Sequence, residues 1–341
     1  MEQRYFVATH KDADVLKKSS SGGVFTAITD EWFLTYGDKA VVYGCILDGD
    51  LNAKHIRATE PAVRDKMRGS KYIESDVSGV FKQVLDDLEN GFYVVFSGTP
   101  CQIAGLKSFL NSKGTVLCDN LLTVEVLCHG VGSNRFFDDY IHHLEKKYKS
   151  SAVRCSFRAK SRPHKNEDME VVFSNRKKYN ASSTKYDWFY SAYISGNIIR
   201  PSCFNCRFAK PERNADVCIS DNWKGMYSEK DCKFLSAVIT TSDMGYKWLN
   251  SSVKNMDCRE KTLEDISQSN LYAATEKPLG YDKFWQIYSG NDGYINVQRH
   301  IGNHTLKGYI RVFIADLLDF LHLTETAKLM VRLLKKIVGR K

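Results

Sequence analysis

The chain reads FYVVFSGTPCQ from Phe92 to Gln102. The first half of this stretch is apolar and predicts a buried strand, whereas Thr99 and Pro100 are typical of the first positions of a helix. A second apolar run, from Leu121 to Leu127, predicts another strand after that helix. Because one short crossover joins the two strands, we expect them to lie parallel in one sheet, as a βαβ unit.

The same alternation extends in both directions along the chain. The fold class that it predicts is α/β, with a mixed, partly parallel sheet and flanking helices, followed by a mixed α+β part and an amphipathic helical tail. We expect an N-terminal domain over 1–150, a C-terminal domain over 151–305 and a tail over 306–341. Strands are expected at 40–47, 55–58, 153–158, 169–173, 216–220 and 235–240, and helices at 24–33, 61–68, 79–88, 136–148, 187–194 and 244–249.

Composition bounds the class of protein. The 341 residues are 43% hydrophobic and 26% charged, which is typical of a soluble globular protein. Ten cysteines in a chain that opens without an apolar leader indicate a reducing cytoplasm rather than a secreted disulfide scaffold. The sequence contains no run of about 18 apolar residues, so we expect no membrane-spanning helix. The net charge of +9 comes without a nucleic-acid recognition motif, so we expect no nucleic-acid partner.

Much of the positive charge lies in the tail. Residues 309–321 and 327–338 have amphipathic helical patterns, and the second carries four basic residues on its polar side. Packing against the domain or against a second protomer is one interpretation. The other is that the tail lies on an anionic membrane surface as a basic amphipathic helix.

Four cysteines occupy positions that suggest a shared centre. Cys101 and Cys128 each follow the carboxyl end of a predicted parallel strand, and those ends form the edge where ligands bind in open α/β sheets. Cys203 and Cys206 form a C-x-x-C pair in a predicted loop. Four thiolates are the ligand set of an iron-sulfur cluster or of a four-cysteine zinc site, and both interpretations remain open at this point. The other six cysteines are expected to be small buried apolar residues: Cys45, Cys118, Cys155, Cys218, Cys232 and Cys258.

A glycine-rich loop precedes the first long predicted helix. The stretch SSSGG from Ser19 to Gly23 offers hydroxyls and backbone N–H groups to a phosphate, as helix amino-termini do, although many such loops only cap a helix. It matches neither the dinucleotide-binding pattern nor the Walker pattern, so the sequence indicates neither an ordinary dinucleotide fold nor a nucleotide triphosphatase.

These motifs together resemble the coenzyme F420 hydrogenase/dehydrogenase beta-subunit family. The resemblance spans about residues 15–240 and rests on five stretches in the family's order: SSSGGVF at 19–25, RGSKY at 68–72, FSGTPCQ at 96–102, LCHG at 127–130 and RPSCFNC at 200–206. It implies a flavoprotein that binds FAD and a 4Fe-4S cluster. Two departures stand out: no cysteine precedes Cys45, so any second cluster must lie on another protein, and the family's Gly-Asp-x-Trp-Gly stretch appears as SDNWKG at 220–225.

Residue by residue, the resemblance implies a cofactor site. The cluster ligands would be Cys101, Cys128, Cys203 and Cys206. Lys71 would stabilise the reduced flavin, and His129 would relay a proton. The residues expected to line the FAD are Ser20, Ser21, Gly22, Gly23, Gly69, Ser70, Lys71, Tyr72, Ser97, Gly98 and Thr99.

The function implied is that of a cytoplasmic oxidoreductase that couples hydride transfer at FAD to single-electron transfer through the cluster. The hydride partner would be a small molecule or the deazaflavin coenzyme F420, and the electron partner an external ferredoxin-like carrier. A different class of function stays open: a catalytically silent scaffold, stabilised by zinc or a cluster, in surface-polysaccharide assembly.

Overall fold

The computed structural model describes residues 2–114, 120–160, 168–181, 187–223 and 234–301. The predicted tail, Cys118, Cys232, Lys224 and Gly225 lie outside the described residues. Within these ranges, no helix is both long and apolar enough to span a bilayer. The strands are β1 (Arg4–His10), β2 (Ala40–Leu47), β3 (Ala53–Ala58), β4 (Tyr93–Gly98), β5 (Leu121–Val126), β6 (Ala152–Ala159), β7 (Asp168–Phe173), β8 (Lys178–Ala181), β9 (Val217–Asp221), β10 (Ser236–Thr240) and β11 (Met256–Lys261). The helices are α1 (Ala13–Lys18), α2 (Val24–Tyr36), α3 (Pro61–Arg64), α4 (Val80–Glu89), α5 (Pro100–Ser112), α6 (Asn134–Tyr148), α7 (Trp188–Ile194), α8 (Asp243–Ser251), α9 (Tyr281–Tyr288) and α10 (Gly293–Ile301).

Eight strands of the described chain form one mixed sheet, in the order β11-β1-β10-β9-β5-β4-β2-β3. Its centre is parallel, because β4 pairs in parallel with β2 and β5, and β5 pairs in parallel with β9. The flanking pairs are antiparallel. The predicted α/β fold with a mixed, partly parallel sheet is therefore confirmed. The parallel strands all end on one side, which we call the carboxyl edge; it consists of the ends of β1, β2, β4, β5 and β9 and the start of β10.

Helices cover both faces of this sheet, so the parallel strands are buried on both sides and are largely apolar. On one face, Trp32 of α2 packs with Trp248 of α8 against strand residues such as Val95. On the other face, α4 and α5 bury an apolar stripe that includes Leu106 against Phe96. A capping box formed by Thr99 and Gln102 starts α5, as the sequence predicts.

A second, three-stranded antiparallel sheet (β6-β7-β8) packs with α6, α7 and α9 around its own core. The three strands of this small sheet all follow residue 150. However, β9, β10 and β11 also follow residue 150, and they belong to the eight-stranded sheet. The large sheet is therefore built from residues on both sides of the predicted domain boundary. The division into domains stays a prediction.

The loop between α1 and α2 is bound to the carboxyl edge by its own backbone. Gly22 N donates to Ser236 Oγ at 2.9 Å, and His10 N donates to Gly22 O at 2.7 Å. A Cβ atom at Gly22 would lie 2.3 Å from Ala8 O and 2.7 Å from Ser236 N. Only glycine fits there, because both close atoms belong to the backbone of the sheet.

We therefore predict that Gly22→Ala destabilises the protein by about 3 kcal/mol or more, since backbone must move to admit the methyl group. Gly49→Ala is the matched control: a Cβ at Gly49 meets nothing within 4 Å, so its effect should stay within about 0.5 kcal/mol. Denaturant unfolding of both variants measures the difference. Equal stability of the two variants would contradict the packing described for this loop.

Candidate cofactor site

The four predicted cysteine ligands lie on three segments around the carboxyl edge. Cys101 occupies the first turn of α5 and is exposed, with Thr99 Oγ1 3.2 Å from its sulfur. Cys128 follows β5 by two residues. Cys203 lies in a 3₁₀ helix over Pro201–Asn205, and Cys206 follows that helix directly. All eight cysteines of the described residues carry free thiols.

Cys128 lies near the other three thiols of this set. Burial raises the pKa of Cys128 to about 12, and the thiolate charges of Cys101, Cys203 and Cys206 add to the increase. Gly130 lies between two of the segments: its N–H is 3.3 Å from Cys128 Sγ, and a Cβ there would lie 3.3 Å from Cys203 Cβ. The structure thus brings the predicted ligands into one neighbourhood.

The described residues nevertheless contain no group of three His, Cys, Asp or Glu side chains that could hold a metal ion as they stand. The thiols approach one another without converging on a single point.

The loop that carries Cys128 is held by hydrogen bonds to three of its consecutive carbonyl groups. Asn270 Nδ2 donates to Cys128 O at 3.4 Å, Thr275 Oγ1 to His129 O at 2.6 Å, and the Tyr193 hydroxyl to Gly130 O at 3.0 Å. These donors come from α7 and from the segment before α9, so distant parts of the sequence fix this loop. None of the three was singled out from sequence.

Two of the predicted flavin segments are in direct contact. Ser20 Oγ accepts a hydrogen bond from Ser70 N at 2.7 Å and lies 3.0 Å from Ser70 Oγ. Tyr72 continues the second segment inward and stacks on Tyr193, whose hydroxyl holds the cysteine loop. Gly69 is exposed and has a φ of +83°. The two segments lie over 45 residues apart in sequence, yet they line the same part of the carboxyl edge.

The start of α2 beside these segments is suited to an anion. Its N-cap is Gly23, with a φ of 79°, no side-chain cap and no acidic residue in the first turn, so the N–H groups of that turn and the helix dipole lack a neutralising group. Arg68 Nε donates to Thr26 Oγ1 within the same turn at 3.0 Å.

His10 adds a buried donor next to this helix start. Its Nδ1 accepts from Asp12 N at 3.0 Å, so Nε2 carries the proton in the neutral ring, and Nε2 is buried without a partner among the described residues. Burial lowers the pKa of His10, which favours that neutral form. Sequence reasoning missed both Arg68 and His10 as site residues. Arg68 was visible only as the first letter of the RGSKY stretch.

Lys71 and Ser97, from two predicted segments, both lie near the buried His55. His55 Nε2 is 2.9 Å from Ser97 O and therefore donates to it, while Nδ1 accepts from Ser75 Oγ at 2.7 Å. Burial lowers the pKa of His55 to about 4; the hydrogen bond to Ser97 O opposes this shift, and the nearby Lys71 charge contributes to it. Lys71 Nζ donates to Met67 O and, at 3.1 Å, to Arg68 O, so this lysine ends a 3₁₀ turn.

Lys71 is nevertheless not an ordinary surface lysine. Desolvation lowers its pKa to about 8, and the Cys45 thiol beside it has the opposite effect. Cys45 itself is half-buried, and burial raises its pKa. Lys71 therefore remains largely charged at neutral pH while lying against the protein interior.

His129 lies next to a buried ion pair that sequence reasoning only half identified. Arg158 of β6 donates to Asp221 at the end of β9, and its guanidinium carbon lies 5.6 Å from the centre of the Trp223 ring. Desolvation lowers the pKa of His129, Asp221 opposes this, and Arg158 reinforces it. Asp221 and Trp223 were recognised in sequence, but Arg158 and the neighbouring Lys160, whose pKa burial lowers to about 7, were not.

Comparisons with known proteins identify the family of the chain. The sequence model for the C terminus of the coenzyme F420 hydrogenase/dehydrogenase beta subunit matches residues 93–266, more than half of the chain. The chain belongs to this family, which confirms the resemblance in the sequence and indicates a redox subunit.

The fold is also similar to that of a chain in the xenon-derivatised F420-reducing NiFe hydrogenase complex from Methanosarcina barkeri. The two chains share 18% identity over 78% of this chain and 84% of that chain, with a TM-score of 0.51. No curated protein matches the sequence.

His55 predicts a pH dependence of stability. Its folded-state pKa of about 4 lies below the usual 6.5, so between those values the unfolded chain binds a proton that the folded protein does not. Stability should therefore fall as the pH drops from 6.5 to 4, by up to about 3 kcal/mol from this group. In His55→Gln this part of the loss should disappear, as denaturant unfolding at several pH values would measure. Parallel pH profiles for wild type and variant would contradict it.

Proposed function

We propose that this protein is an FAD- and 4Fe-4S-dependent oxidoreductase of the cytoplasm. It would couple a two-electron hydride transfer to single-electron transfer, with coenzyme F420 or another small molecule as hydride partner and a ferredoxin-like protein as electron carrier. The observation that carries the proposal is that Cys101 at the start of α5, Cys128 after β5 and the Cys203–Cys206 loop lie around the carboxyl edge, with Gly130 packed between Cys128 and Cys203.

Membership of the family favours a multi-iron cluster over zinc, because the resemblance in the sequence implies a 4Fe-4S cluster at these four cysteines. A zinc ion holds each of four thiolates at about 2.3 Å, whereas a 4Fe-4S cluster binds each cysteine through a different iron atom. Cys101, Cys203 and Cys206 lie near enough to Cys128 for their charges to raise its pKa.

The neighbouring features support FAD. The unneutralised start of α2, the Nε2 proton of His10 and the Arg68 guanidinium are donors suited to the two phosphates of this cofactor. Ser20 and Ser70, already joined by a hydrogen bond, would hold it from the side. These features lie on segments that also approach the cysteine loop through Tyr72 and Tyr193.

When bound, FAD supplies hydride chemistry and the cluster supplies one-electron chemistry. The chain's own contribution is electrostatic and positional. Lys71 keeps a positive charge at the edge where negative charge develops on reduction. His129, neutral near pH 7, has a ring nitrogen available to accept a proton beside the Arg158–Asp221 pair. Three hydrogen bonds to the Cys128 loop keep that ligand segment in place.

Anaerobic purification followed by flavin, iron and sulfide analysis tests the function. We expect one FAD and about four iron and four sulfide per chain. A colourless protein loaded with zinc would contradict the proposal and favour the scaffold function.

The cysteine ligands are tested one at a time. Cys128→Ala and Cys203→Ala should each reduce the iron content at least twofold, because a cluster that loses one of its thiolates is held less firmly. Cys258→Ala is the matched control, since Cys258 is also half-buried but lies on the edge strand β11. Iron content that is the same in all three variants would exclude the proposed ligand set.

Lys71 is tested through the flavin reduction potential. Removing its charge in Lys71→Ala should make the potential more negative by on the order of 30 mV, about 1.4 kcal/mol for a two-electron couple. Lys71→Arg keeps the charge and should stay near the wild-type value. Lys66→Ala, at an exposed lysine of the same turn, is the second control. If Lys71→Ala leaves the potential unchanged, Lys71 does not stabilise the reduced flavin.

A further inference from the structure

A buried ion pair joins two of the three segments that carry cysteines. Arg213 Nε donates to Glu125 Oε1, and the two side chains are 1% and 0% exposed. Glu125 is in β5, three residues before Cys128, and Arg213 follows Cys206 by seven residues. Taking both charges out of water is costly, and removing one partner would leave the other charge buried alone.

Arg213 also fixes the chain that leaves the C-x-x-C pair. Its Nη1 atom donates to Phe208 O at 3.1 Å and to Lys210 O at 2.7 Å. One guanidinium group thus binds a carboxylate on the sheet and two carbonyl groups of the loop. A lysine, with a single ammonium group, cannot reproduce this planar fork.

The third segment reaches the same place. Lys107 of α5, the helix that begins with Cys101, donates to Asn214 O at 2.5 Å. Two residues further on, the Asp216 carboxylate accepts from Thr123 N at 2.8 Å and from Thr123 Oγ1. The stretch 213–216, here called the anchor segment, therefore contacts α5, β5 and the C-x-x-C loop at once.

We propose that Arg213 and Glu125 are positioning residues for the metal centre: through the anchor segment they set the separation of the three cysteine-bearing segments. This inference rests on the proposed function, since it concerns the site that would hold the cluster. Neither residue is itself a proposed ligand of the metal centre. They act through the backbone of the loop and of β5.

A purely stabilising role makes a different prediction. Buried ion pairs can often be replaced by apolar side chains without loss of stability. In the double variant Glu125→Gln with Arg213→Met, no charge is left buried alone, so the free energy of unfolding should fall by less than in Arg213→Met alone, where the Glu125 carboxylate stays buried without its partner. If the pair positions the cysteines, this variant should still lose iron or hold the iron centre in an altered form, because methionine cannot bind the carbonyl groups of the loop.

The test measures the iron and sulfide content, the EPR spectrum of the reduced protein and the midpoint potential of the centre after anaerobic purification. Arg213→Lys and the double variant should lose at least half of their iron, or retain it with an altered spectrum and potential. Arg57→Lys is the control. Arg57 makes a bidentate pair with Asp87, at 2.7 and 2.8 Å. Its guanidinium carbon lies 5.2 Å from the centre of the Phe92 ring, and because Phe92 directly precedes β4, this pair lies at the side of the sheet opposite the carboxyl edge. Arg57→Lys should leave the iron centre unchanged.

Wild-type iron content, spectrum and potential in both Arg213 variants would overturn the positioning role. An equal loss in Arg57→Lys would overturn it too, because general destabilisation would then account for the effect. These outcomes differ from failure of the proposed function, in which the wild-type protein itself would contain no cluster. The double variant keeps the test decisive if Arg213→Lys does not fold.

Discussion

Parallel pairing of β2, β4, β5 and β9 is the constraint on which the rest of the structure depends. Parallel strands end on the same side, so the segments that follow them must meet there. Cys101 and Cys128 follow adjacent strands, and Asp221 ends the next one. The antiparallel strands β1 and β10 hold the glycine-rich loop at the same edge: His10 N donates to Gly22 O, and Gly22 N donates to Ser236 Oγ. A single sheet edge thus gathers residues from most of the chain.

The parallel core could be predicted from sequence because its strands are buried on both faces and read as continuous apolar runs. The strands at 40–47, 92–97 and 121–127 were found within one residue of their ends. Of the strands that were missed, β8 and β11 lie at sheet edges, whereas β1 lies inside the eight-stranded sheet, between β11 and β10. β11 reads MDCREK, with four charged residues out of six, and is a strand because it pairs with β1 rather than because of its own composition.

The candidate site divides in the same way. Residues in contiguous motifs, such as the cysteines and the SSSGG loop, were visible because their spacing has a local meaning. Arg213 and Arg158 were not, because each acquires its role from a partner far away in sequence: Glu125 is 88 residues from Arg213, and Asp221 is 63 residues from Arg158. No local pattern marks such a residue before the chain has folded. The family resemblance predicts the ligands, whereas only the fold shows what holds the segments that carry them.

Electrostatics at the carboxyl edge follows from burial. Burial shifts the Cys128 thiol toward its neutral form, and likewise His10, His55 and His129, while Lys71 stays largely charged near neutral pH. The central claim is that Cys101, Cys128, Cys203 and Cys206 bind one multi-iron centre. X-ray absorption spectroscopy at the iron edge of the anaerobically purified protein tests it most directly. We predict a sulfur shell together with a shell of neighbouring iron atoms; a lone metal ion surrounded by sulfur, with no metal neighbour, would contradict the account.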